Sequence, residues 1–369
     1  MPLSKIVANS ITDNTITTDQ IAGTSVHGRR NILINGGMNV SQRATQVTGL
    51  GASNDVFAAL DRIKYFVGNT AGRFTAEQVA VTDLPGFANA MKLSCTTADT
   101  SIATNEFLGF KHMIEGQDLQ RLKKGTSEAE STTLSFYVKG NAAAEYTVEL
   151  RDIDNDRINT QIFNVTTSWT RVEMTFAADT TGAYDDDTAM SLQMSWWLHA
   201  GSTYTGGTFA SNTWASRVQG NRVKSSNSSF FDSTSRTLFV TGIQYEVGDK
   251  ASPFEHRSFA EELTLCERYF QKYECSAQQL IYFEGNTSNH KFTDTTIHRK
   301  MRATPTVSLS TNFGHGGGAG GTISSVTTQS IGPDIVSYRV GFTANIGSSY
   351  QLRHSDSFDG DVASYSAEL

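Results

Sequence analysis

Trp196, Trp197, Tyr204 and Trp214 crowd together in the stretch "SWWLHAGSTYTGGTFASNTW". Sugar rings present flat C–H faces that stack on exposed aromatic rings, while polar neighbours hydrogen-bond their hydroxyls. These four are therefore the candidate glycan-binding residues. Adjacent Trp196 and Trp197 must point to opposite faces of a strand, so one belongs to the core and the other faces outward or an interface. The spacing does not say which. In the competing reading all four pack inside a β-sandwich or a subunit contact. Trp169, in "TSWTRVEMTF", is read as a core residue.

Other chemistry-bearing patterns are thinner. Asp152, Asp154 and Asp156 resemble the opening of a calcium loop, in which alternate carboxylates converge on one cation. Arg157 stands where that loop needs Gly and Phe163 where it needs a bidentate Glu, so a polar hairpin turn is the better reading. Asp185, Asp186 and Asp187 read as a solvated loop. No cofactor or metal ligand is assigned, and a structural calcium stays open. The eight histidines form no HExxH pair and adjoin no nucleophile motif. Nothing in the spacing of the acidic residues selects the carboxylate pair of a glycosidase. No catalytic residue is expected, and the chain is read as a non-enzyme. The Gly-rich run His315–Gly321 lacks the Lys-Ser/Thr of a phosphate loop and reads as a mobile loop.

Many short strands must position these residues. "LSFYVK" (Leu134–Lys139), "YTVELR" (Tyr146–Arg151), Ile158–Val165, Trp169–Phe176 and Ala189–His199 recur with turn clusters between them, the pattern of a sandwich or barrel. A short helix is expected within Leu108–Lys124. Val240–Val247 alternates at period two, Pro253 interrupts, and Ser258 with Glu261 forms a capping-box signature. Phe259, Leu263, Cys266, Phe270 and Tyr273 then share one helical face. A lone helix behind a long β run is a joint between two β units. Strands resume at Leu280–Phe283 and continue to Ser349–Arg353.

The 369 residues are long enough for two or three domains. A formal charge of −7 argues against broad nucleic-acid affinity, and no window approaches a membrane span. The opening "MPLSKI" lacks the basic flank and apolar run of a secretion signal. Cys95, Cys266 and Cys275 form no CxxC pair and read as reduced thiols. At the N-terminus Ile6, Ile11, Ile16, Ile21 and Val26 recur every five residues. Repeats this short need stacked neighbours, so copies of the same segment from symmetry-related chains are expected to form an intertwined stalk or attachment peptide, the alternative being a disordered leader with chance spacing.

Three phrases carry a family resemblance: "NILINGGMNVSQR" (Asn31–Arg43), "GIQYEVGDKASPFEHRSFAEELTLCERYFQKY" (Gly242–Tyr273) and "MRATPTV" (Met301–Val307). Over roughly residues 31 to 310 the chain resembles bacteriophage tail-fibre and virion structural proteins with a carbohydrate-binding-module-like jelly roll. The residue patterns give an all-β chain with a stalk or attachment segment over 1–30 and a linker helix over 258–273, and the resemblance implies a jelly roll over 31–257 and a smaller β domain over 274–369. It further implies a homotrimer made in the host cytoplasm and carried on the virion. Other virion proteins would be met through the N-terminus and host surface polysaccharide through the β domains, with no nucleic-acid partner and no membrane insertion. A purely architectural neck, baseplate or capsid fibre is the alternative, and a glycan-depolymerising tailspike the third reading.

Overall fold

Alternating apolar and polar residues build eleven strands in the first two thirds of the chain. They are β1 (Gln46–Phe57), β2 (Lys64–Ala80), β3 (Asn89–Thr97), β4 (Phe107–Glu115), β5 (Thr132–Gly140), β6 (Ala144–Asp152), β7 (Arg157–Val165), β8 (Thr170–Phe176), β9 (Met190–Ala200), β10 (Ala215–Ser216) and β11 (Thr237–Val247). A one-turn helix, α1 (Ser202–Thr205), follows β9. In this computed structural model the described residues are 29–275, 280–284, 289–291, 299–309, 313–316, 323–334, 336–342, 349–354 and 360–369. The pentad residues Ile6, Ile11, Ile16, Ile21 and Val26 lie outside them, as does most of the Gly-rich run.

The named strands pair antiparallel, in the order β10-β7-β6-β9-β4-β2-β3-β11-β5-β8, with β1 also on β2. β2 makes the sheet fold over. Its first residues pair with β4 (Lys64 with Lys111) and its later ones with β3 (Ala80 with Asn89). The two halves thus become facing layers of a jelly-roll β-sandwich. The contact between layers is direct: Phe136 of β5 meets Trp196 of β9 edge to face at 5.8 Å, and Trp196 stacks on Phe110 at 4.7 Å. Tyr65, Phe74, Leu93, Leu134, Val148 and Leu238 fill the same core.

Three local expectations change. The linker helix expected over 258–273 stops at Glu267, and Phe270 and Tyr273 lie instead on a strand, Phe270–Cys275, while Phe259 is exposed. Leu108–Lys124 holds no α-helix: it runs as β4 and then two short 3-10 helices, Gly116–Asp118 and Gln120–Leu122. Pairing of β4 with β9 overrides the helical pattern, and Gly116 turns where a β-carbon would strike the Asp185 carbonyl. Strict alternation in β11 also breaks, at a bulge between Thr241 and Gln244 where Gly242 takes φ +63°. Val240, Ile243 and Tyr245 consequently share the core face.

The bulge lies where the resemblance phrases meet. Asn31 clamps β11: its Nδ2 donates to the Ile243 carbonyl at 3.0 Å, and the Tyr245 N–H donates to its Oδ1 at 3.1 Å. The Asn35 N–H donates to Glu262 of helix α2 (Phe259–Glu267), and Gln42 Nε2 to the Phe270 carbonyl. Arg302, in the third phrase, receives the joint from the other side, its N–H donating to the Arg268 carbonyl at 2.9 Å. Ser258 caps α2 by accepting the Glu261 N–H at 3.2 Å. Glu261 itself pairs with Arg29 at 2.7 Å rather than closing a capping box. Ser258→Ala is expected to cost about 1 kcal/mol in urea denaturation, and Ser258→Asp much less; equal losses would show that the cap contributes nothing.

Beyond α2 come three 3-stranded sheets built from β12 (Phe270–Cys275), β13 (Leu280–Glu284), β14 (Asn289–Lys291), β15 (Thr306–Leu309), β16 (Phe313–Gly316), β17 (Ile323–Ile331), β18 (Val336–Phe342), β19 (Ser349–His354) and β20 (Gly360–Ser366). Of the Gly-rich run, His315 and Gly316 belong to β16. Glu368, just past β20, accepts from Arg43 and Arg62 of the sandwich at 3.0 and 2.5 Å. No helix among the described residues is long and apolar enough to cross a membrane.

Candidate functional site

The layer β10-β7-β6-β9-β4-β2, with β1 at its edge, has one face in the core and one outside. Its outer face carries a cleft of about 490 Å³. Phe66 and Phe107 give the floor its rings, each within a matching tripeptide, Phe66-Val67-Gly68 on β2 and Phe107-Leu108-Gly109 on β4. Antiparallel register sets Phe66 opposite Gly109 and Gly68 opposite Phe107. Each ring lies over the other strand's glycine, where a β-carbon would collide with it. The two rings stack at 6.0 Å. Trp197 meets Phe66 edge-on at 5.1 Å, and Tyr204, brought in by α1, meets Phe107 at 5.5 Å and Trp197 at 5.2 Å. Val223 closes this second small core.

The walls are polar and planar. Asn54, Asn69, Gln193 and Gln219 line the cleft together with Asp55, Lys111, Arg151 and Arg222. Arg222 donates from Nε and an NH2 group to the two oxygens of Glu149, at 2.7 and 2.8 Å, and its guanidinium sits 4.7 Å from the centre of the Trp197 ring. Trp197 Nε1 donates to the same carboxylate at 3.1 Å. Glu149 is wholly buried, so it is a strut of the wall rather than a group facing a ligand. Asp55 bridges Lys111 at 2.9 Å and Lys64 at 3.0 Å. Burial opposes its charge, but hydrogen bonds and charge from those lysines prevail and hold the carboxyl below its ordinary pKa. A carboxylate held in that form is a poor proton donor.

The aromatic candidates separate. Trp196 is in the main core with no exposed surface, so it offers no ring face to a ligand. Trp197 and Tyr204 line the cleft, yet they are only 2% and 9% exposed, their ring faces spent on one another, on Phe66 and on Arg222. Phe107, half-buried, is the floor ring that solvent reaches best. Trp214 lies elsewhere: its Nε1 donates to the Ala177 carbonyl at 2.8 Å and Lys124 sits over its ring. Trp169, expected in the core, is half-buried on the opposite layer, with Nε1 donating to Asp83 at 2.9 Å and the ring against Phe239.

Asp152–Asp156 forms the turn of the β6–β7 hairpin. Lys124 Nζ occupies the oxygen cage beside it, 2.6 Å from Asp152, 3.1 Å from Asp179, and 2.8 and 2.7 Å from the Thr181 and Gly182 carbonyls. An ammonium thus fills the position a cation would take, and among the described residues no cluster of three His, Cys, Asp or Glu is arranged to hold a metal. Cys95 and Cys266 are buried free thiols.

No protein-family model matches the chain, and no curated protein matches it either. Among solved structures it is similar to a carbohydrate-binding module of family 4 (12% identity, 58% of this chain and 98% of that one, TM-score 0.31). It is likewise similar to a family 11 carbohydrate-binding module from Clostridium thermocellum in complex with a mixed-linked tetrasaccharide (13% identity, 58% and 99%, TM-score 0.27). A third is a family 61 module in complex with β-1,4-galactotriose (9% identity, 60% and 99%, TM-score 0.29). Scores of this size leave the functional question to the chain's own side chains.

Proposed function

We propose that this chain is a non-enzymatic glycan-binding protein whose site is the cleft over Phe66, Phe107 and Trp197. The observation that carries the proposal is the combination of an aromatic floor with walls of amide and guanidinium groups. Planar polar side chains pair with adjacent hydroxyls two at a time, and a flat apolar floor accepts the ring beneath them. The two carboxylates nearest the floor, Asp55 and Glu149, are both held in ion pairs, which favours binding over hydrolysis.

The resemblance of the three joint-forming phrases supports placing the protein on a phage virion, as a trimeric fibre or tail-associated appendage. Three weak saccharide contacts per fibre would then combine through effective concentration into firm attachment. The architectural reading keeps one specific observation in its favour, the near-complete burial of Trp197 and Tyr204.

A glycan array with the full chain separates the two readings. Binding is expected, and Gln193→Ala and Gln219→Ala should each weaken it about tenfold, the worth of one or two hydrogen bonds. Trp169→Ala, on the opposite layer, should leave it unchanged. A chain that binds no saccharide is a scaffold. Light scattering tests the oligomer, for which a monomer at micromolar concentration would refute the trimer.

A further inference from the structure

We infer that the saccharide this cleft takes is acidic, carrying a carboxylate or sulfate group that docks between Lys111 and Arg151. This rests on the reading of the cleft as a glycan site. The charged side chains lining it are Lys111, Arg151, Arg222 and a single carboxylate, Asp55. Asp55 is shared between Lys111 and Lys64, so one positive charge there is left over. Asp156, in the β6–β7 turn, is likewise shared between Arg151 at 3.2 Å and Arg217 at 2.6 Å. Only Arg222 is fully matched, by Glu149. The cleft is therefore cationic in a chain whose formal charge is −7. A positive depression in an acidic protein draws anionic ligands to itself, while the rest of the surface repels them.

Geometry supports the same choice. Lys111 on β4 and Arg151 on β6 flank β9, opposite Ser195 and Gln193 respectively. Strands lie about 4.8 Å apart and the two positions are offset by two residues along β9, so their backbones stand roughly 12 Å apart across the cleft, a gap that two long side chains can close around one acidic sugar. The Arg151 side chain lines the cleft and is 27% exposed, so its guanidinium is open to a ligand oxygen. Guanidinium and ammonium groups bond carboxylate or sulfate oxygens more strongly than neutral hydroxyls.

The test measures binding of the full chain to polygalacturonate, dextran sulfate and neutral dextran at low and high salt. At least one acidic polymer should bind tenfold or more tightly than neutral dextran, and weaken as salt rises; the two acidic arms distinguish carboxylate from sulfate. Lys111→Gln and Arg151→Gln should each reduce acidic binding about tenfold. Lys139→Gln, on the other layer, should not. Thermal melting verifies folding of the variants, and the salt series on the native chain needs no variant. Salt-independent preference for a neutral glycan, equal loss in Lys139→Gln, or equal binding of a single-stranded oligonucleotide would overturn the inference while leaving a glycan site standing. Failure to bind any saccharide, on the array or here, would remove both.

Discussion

Replacing Arg222 with glutamine should destabilise the sandwich by about 3–5 kcal/mol, because it strands a buried carboxylate. Glu149 has no exposed surface, and without Arg222 its oxygens keep only the Trp197 indole N–H. Arg222→Gln combined with Glu149→Gln should recover much of that loss. The double variant buries no charge, and the new amide oxygen can still accept from Trp197. The coupling between the two positions is expected at about 1–3 kcal/mol, the range for residues in direct contact. Urea denaturation followed by tryptophan fluorescence reads it directly, since Trp196 and Trp197 are both buried in this layer. Strictly additive losses would mean that the ion pair is incidental to stability.

That experiment also bears on the cleft. Arg222 presses on the Trp197 face opposite a wall of polar side chains, so its removal frees the ring that the sequence singles out as a sugar platform. The double variant removes one charge of each sign and leaves Lys111 and Arg151 in place, so acidic-saccharide affinity should persist in it.

How much of this was legible beforehand follows from the range of each signal. Strand periodicity is local, so the all-β sandwich, the capped helix at Ser258 and the β6–β7 hairpin are readable from residues next to one another. Layer pairing is not local. That Trp196 faces Phe136 while Trp197 faces outward depends on register, and period two fixes only that they differ. Phe66 and Phe107 were missed although they repeat as Phe-x-Gly. Each glycine is empty for the other strand's ring, and only the pairing of β2 with β4 reveals it. Lys111, Arg151 and Arg222 were invisible for a similar reason: their charge matters only after Asp55, Asp156 and Glu149 have been apportioned among them. Trp169 was misplaced because a turn before β8 swings it onto Asp83, a contact 86 positions away in sequence.

Acid should weaken this fold well before its carboxylates titrate, and His112 is the reason. It sits on β4, 2% exposed, with Nε2 at 3.0 Å from the Ile34 carbonyl and no partner for Nδ1. A carbonyl only accepts, so Nε2 carries the hydrogen of the neutral ring. A second proton would enter at the buried Nδ1, where the Met113 backbone offsets only part of the cost of burying the charge. Burial first, then the nearby Arg62 charge, push the His112 pKa from 6.5 down to about 3. Between those values the unfolded chain binds a proton that the folded chain refuses, so stability falls as pH drops through that window, by about 1.4 kcal/mol per pH unit. His199, also lowered by burial against the pull of Glu106, adds to the same slope. Asp61 opposes it, because burial raises that carboxyl and the folded state gains its proton first. Asp99, Asp179 and Glu255, all held below their ordinary values, lose their contributions only at more acidic pH. From pH 6.5 to 4.5 the histidines therefore dominate. His112→Gln, whose amide can still donate to Ile34, should cost stability at pH 7 yet flatten the acid slope, gaining about 2–3 kcal/mol relative to the native chain by pH 4.5. Parallel stability profiles for the two proteins would mean that His112 accepts its proton inside the fold, and the acid sensitivity would have to be sought at His199.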